Sequence, residues 1–96
     1  MLFRVGKVHI SHAVLTSSIA PSDLVSAFSQ YISGDWGEVP PSEEIRNDTA
    51  IAVGNRIVGR YVSADGHPFC ITTYDGKTQI LLEKELERLL QSCWLQ

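Results

Sequence analysis

The chain has 96 residues, 44% of them hydrophobic and 20% charged, and a formal net charge of -3. That length suits one domain covering residues 1–96, and the composition excludes a disordered chain, which needs low hydrophobicity and high net charge. The eight basic residues are scattered from Arg4 to Arg88, which disfavours a nucleic-acid surface, and no apolar run nears the ~20 residues that cross a bilayer.

Met1 to Lys7 lacks the apolar core and small-residue cleavage site of a secretory leader. Cys70 and Cys93 have no motif spacing and read as buried, reduced thiols. Both features lead to the expectation of a cytoplasmic protein without membrane contact.

Leu2 to Ile10 has a strand-like pattern, with Phe3 and Val5 alternating against Arg4 and Gly6. Ser11 to Ser18 is either a short helical turn capped by Ser11 or an irregular approach to the next element. Pro21 suits the first turn of a helix, and Leu24, Val25, Phe28, Tyr31 and Ile32 follow at helical spacing until Gly34. Asp35 to Pro41 is a loop, after which Ser42 is expected to cap a second helix. Its weak apolar stripe is Ile45, Thr49, Ala52 and Val53, ended by Gly54.

From Arg56 onward the period changes to two. Ile57–Ser63, Phe69–Tyr74 and Thr78–Leu82 are rich in β-branched and aromatic residues, and Asp65-Gly66 and Asp75-Gly76 between them signal hairpins. Leu86, Leu89, Leu90, Cys93 and Trp94 then mark one face of a C-terminal amphipathic helix. It packs either on the sheet or on a second copy, with a slight preference for a homodimer contact. The expected fold is α+β: an antiparallel sheet of the N-terminal strand plus a three-stranded meander, packed by two helices, with the C-terminal helix in addition.

Chemistry-bearing residues are sparse. His9 and His12 lie three apart, but no Cys, His or Asp cluster completes a metal shell, so no metal and no cofactor are expected. His67 follows Asp65-Gly66 at a turn, where an imidazole beside a carboxylate serves either as a general base or as a polar turn residue. No nucleophile elbow, phosphate-binding glycine loop, HExxH or CxxC is present, so no catalytic residue is assigned. Trp36, between Asp35 and Gly37, is either an exposed anchor for a partner or a core plug. Asn47 and Asp48, mediocre helix formers inside a helix, either support the neighbouring loop or line a polar pocket with Asp35 and Arg56.

Gly34-Asp35-Trp36-Gly37, Asn47-Asp48-Thr49-Ala50, Gly54 with Arg56-Ile57-Val58 and Tyr61, Ile71-Thr72 and Ile80-Leu81-Leu82 together resemble a family of small uncharacterised proteins of plasmids and other mobile DNA. The match covers roughly residues 33–82. It implies a genomic setting rather than a chemistry. Thr73, Glu83 and Leu86 depart from the family's usual Glu, Pro and Tyr, and the loss of that Glu weakens a catalytic reading. The expected function is a non-enzymatic accessory protein that binds another protein. The alternatives are a small enzyme like the ribonuclease toxins, which requires Arg46, Arg56, Arg60 and His67 to share one sheet face, and a homodimeric scaffold held by the C-terminal stripe.

Overall fold

The computed structural model describes residues 3–94, with side chains through Ser92 in the last helix. In chain order the elements are β1 (Lys7–Ile10), α1 (His12–Leu15), α2 (Pro21–Ile32), α3 (Pro41–Val53), β2 (Ile57–Val62), β3 (Pro68–Tyr74), β4 (Lys77–Leu82) and α4 (Glu83–Trp94). The period-two stretch forms the expected meander. Asp75 and Gly76 both have positive φ, 53° and 75°, and close β3 onto β4 in the two-residue turn that matches strand twist.

The sheet order is β1-β4-β3-β2, and β1 pairs parallel to β4, with Val8 opposite Thr78 and Ile10 opposite Ile80. The sheet is therefore mixed, where an antiparallel one was expected. The three helices after β1 supply the long crossover that a parallel alignment needs. They deliver the chain to the far edge, where β2 starts in the direction of β1, and the two hairpin reversals then align β4 with β1.

One face of the sheet, with Ile57, Tyr61, Phe69, Ile71 and Ile80, packs on Val14, Leu24, Ala27 and Tyr31 of the first helices. The opposite face presents Cys70 and Leu81, and α4 covers them with fully buried Leu86 and half-buried Leu89 and Leu90. The domain is thus three-layered. Burying a leucine of this kind is worth about 1.5–3 kcal/mol. Leu86, expected at an oligomer contact, is enclosed within its own chain, and the described outer face of α4 carries exposed Glu87, Arg88, Gln91 and Ser92. The side chains of Cys93 and Trp94, the rest of that expected contact, lie outside the described residues.

Local chemistry sets the helix ends. Pro21 occupies the first turn of α2, and Asp23 faces its positive end. In α3 the first-turn residue is Pro41, so Ser42 lies inside the helix rather than capping it. Ser11 does cap α1, accepting from Val14 N. The expected apolar stripe of α3 faces water, with Ile45 and Val53 67% and 62% exposed, because the helix is turned to bury Asn47 and Ala50 instead.

Candidate functional site

Asn47 explains that rotation. Its side-chain amide reaches the outer edge of β2, where Nδ2 donates to Val58 O at 2.7 Å and Oδ1 accepts from Val58 N at 3.0 Å. One side chain thus plays the part of a neighbouring strand. Two residues on, the Trp36–Glu38 loop repeats the device: Arg60 N donates to Trp36 O at 2.9 Å, and Glu38 N donates to Arg60 O at 2.7 Å. Gly37 sits between them at φ +76°, and a Cβ there would lie 2.1 Å from Arg60 O. The outward backbone groups of Val58 and Arg60 are satisfied, so this edge offers little template for another strand.

Trp36 is buried, 3% exposed, and packs edge-on to Tyr31 and tilted against Phe3. Its indole Nε1 donates to Asp48 Oδ1 at 3.3 Å. The Asp35 carbonyl accepts from Tyr61 Oη at 2.7 Å, while its carboxylate accepts from Gly37 N at 3.1 Å. Burial, with Tyr31 and Asp35 nearby, holds the Tyr61 phenol in its protonated, donating form far above its ordinary range. Asp35, Trp36, Asn47 and Asp48 are brought together, but as a lock on the sheet edge. Trp36 is the core plug of the two readings.

Arg56 stands apart from that lock. Its Nη1 donates to Thr72 Oγ1 at 3.1 Å, and its guanidinium lies 5.0 Å from the centre of the Tyr74 ring. Arg46, Arg56 and Arg60 line one cleft beside Val58 and Leu90, whereas His67 lies at the β2–β3 turn, its Nε2 3.5 Å from Asp65 Oδ2. His67 instead borders a separate depression with Glu83 and Lys84, so the basic quartet required by the ribonuclease reading is not assembled. Arg60 holds Glu43 through Nε at 2.9 Å. Burial works against its charge, but Glu43 outweighs burial and keeps the guanidinium above its usual range. Below it, burial pushes the Cys70 thiol up to about 11. Among the described residues no group of three His, Cys, Asp or Glu is placed to hold a metal ion.

The other edge of the sheet is different. Among the described residues no strand lies on the outer side of β1, and beside it runs an apolar groove of about 290 Å³ lined by Val8, Ile10, Leu24, Val25, Phe28 and Ile80. Val8 is 45% exposed and Val25 69%. Sequence reasoning assigned Val25 to the core stripe of α2 and missed this groove. A signal was present in the charge distribution: before Asp23 the chain carries Arg4, Lys7, His9 and His12 but no carboxylate.

No protein-family model, curated protein or solved structure matches the chain. Two of the motifs read in the sequence, Gly34–Gly37 and Asn47-Asp48, form the edge lock.

Proposed function

We propose that the protein is a non-enzymatic interaction module that takes an extended segment of a partner protein along β1. The observation that carries this reading is the asymmetry of the sheet: the β2 edge is locked by Asn47 and the Trp36 loop, while the β1 edge is open and continuous with an apolar groove. Strand addition uses both features, main-chain hydrogen bonds for affinity and pockets for alternate side chains for selectivity. Along β1, Lys7 and His9 alternate with the groove-lining Val8 and Ile10, and residues 1–22 carry no acid, so the complementary partner strand alternates apolar residues with Asp or Glu. A second copy is a poorer fit, because pairing β1 with itself brings two basic segments together. In the mobile-element setting that the resemblance implies, such a module is an accessory protein.

The test is selection of displayed peptides on the intact protein, with counter-selection on a Val8→Lys/Val25→Glu variant. Both positions are solvent-exposed, so the variant keeps its core. The expected result is enrichment of extended, acid-flanked apolar segments that shift the amide resonances of Val8, Ile10 and Val25. Peptides that bind the variant equally well would refute the reading. So would a wild-type dimer, seen by sedimentation, that the same two substitutions abolish.

A further inference from the structure

The arginine cleft stands apart from the β1 groove and does not contribute to the proposed strand docking. Its walls are α3, β2 and α4, and Val58 and Leu90 give it an apolar floor. Arg46 and Arg56 have no carboxylate within ion-pair distance among the described residues, whereas Arg60 is held by Glu43, with Glu83 at 3.9 Å. Arg56 is also pre-positioned: Thr72, 1% exposed, accepts from its Nη1 while donating to Ile57 O at 2.9 Å, and its guanidinium carbon lies 5.0 Å from the centre of the Tyr74 ring. A guanidinium held at one nitrogen and lying over a ring keeps its remaining N–H groups available to a ligand. Glu43 also lines the cleft and neutralises Arg60, so among the described residues Arg46 and Arg56 are the two lining cations that face no carboxylate.

We propose that this cleft binds the phosphate group of a small phosphorylated ligand. A phosphomonoester carries about -1.5 to -2 at pH 7, which matches the two unpaired guanidinium charges better than a single carboxylate does. The cleft holds about 140 Å³, below the ~300 Å³ at which pockets for whole drug-sized molecules begin, so it takes a head group. Glu43 and Glu83 on the Arg60 side oppose a polyanion running through, which favours an isolated phosphate over nucleic acid.

The experiment is titration of the full chain with methyl phosphate, followed by the arginine Nε–H resonances and by calorimetry. Saturable binding is expected, with Arg46→Gln and Arg56→Gln each weakening it by roughly tenfold or more, the cost of one charge-assisted hydrogen bond. Arg46 is exposed, so its replacement leaves folding intact, and thermal unfolding of both variants confirms this. Methyl phosphate affinity should rise several-fold between pH 5 and 7.5 as the second proton leaves near pH ~6. Sulfate, a dianion throughout, should show no such rise. Absence of saturation at millimolar concentrations, or equal binding by the two variants, would overturn the proposal. An RNA oligonucleotide that binds more tightly than methyl phosphate through the same arginines would overturn it too, and would make the cleft a polyanion surface.

Discussion

Single polar side chains decide much of this structure. Asn47 is buried, and its amide serves both backbone groups of Val58. Asn47→Ala would leave that N–H and C=O without their side-chain partner at the edge of the sheet. The expected loss is about 2–4 kcal/mol, readable as a lower urea midpoint with an unchanged slope. Tyr31 heads a second buried network, in which its Oη donates to Thr73 Oγ1 at 2.8 Å, Thr73 and Thr78 share a hydrogen bond at 2.7 Å, and Thr78 donates to Val5 O at 2.6 Å. Burial raises the Tyr31 phenol far above its ordinary range despite the Thr73 bond, so the hydroxyl keeps its proton. Tyr31→Phe should cost only about 1 kcal/mol, because Thr73 and Thr78 still satisfy each other. Thr78→Val removes the bond to Val5 and should speed amide exchange in residues 3–6 far more than Tyr31→Phe does.

At the scale of elements, the edge lock depends on how closely the Trp36–Glu38 loop approaches β2. Gly37→Ala places a methyl group against Arg60 O and forces positive φ on an alanine. The loop must then lift, releasing the carbonyl and amide of Arg60 to water and exposing part of Trp36. A fall in stability of about 2–4 kcal/mol is expected, together with concentration-dependent association through the unlocked edge. A variant that stays monomeric with wild-type stability would show that the loop is not the lock. The elements themselves were largely legible in the sequence. Period-two patterning and the Asp-Gly pairs located the meander, and Pro21 with Gly34 bounded α2. Two things were not legible. The parallel partner of β1 depends on the path of three helices, to which local pattern is blind. The orientation of α3 follows from Asn47, a polar residue, so an apolar-stripe count pointed Ile45 and Val53 the wrong way. Trp36, Asp35 and Asp48 stood out in the sequence as candidate binding residues, yet residue type alone cannot distinguish a lock from a binding pocket.

The whole molecule sandwiches its sheet between two helical layers, and this arrangement places the Cys70 thiol and the Tyr31 and Tyr61 phenols in the interior, while Tyr74 is half-exposed. Cys70 lies under α4 on one face, while Tyr31 and Tyr61 lie under α2 and the edge loop on the other. Burial raises all three, Cys70 from 9.0 to about 11 and both phenols far above 10.0. A raised folded-state value means that the unfolded chain releases its proton first as pH increases. The stabilising contribution of each group is therefore complete below its unfolded value and declines as pH climbs toward the folded value. Stability should stay level with respect to these groups up to about pH 9, then fall, first through Cys70 by on the order of 2 kcal/mol and next through the two tyrosines. Denaturant midpoints measured from pH 7 to 11 test this, with Cys70→Ala as the comparison. The variant should lose the decline that begins near pH 9 and keep the later, tyrosine-driven one. In the wild type the Cys70 thiol, resolved from Cys93 by peptide mapping, should react slowly with an alkylating reagent at pH 8 until the protein unfolds, since the thiolate is the nucleophile and burial suppresses it. Parallel profiles for wild type and variant would mean that Cys70 ionises without loosening α4, placing the first alkaline weakness on the face that carries Tyr31 and Tyr61.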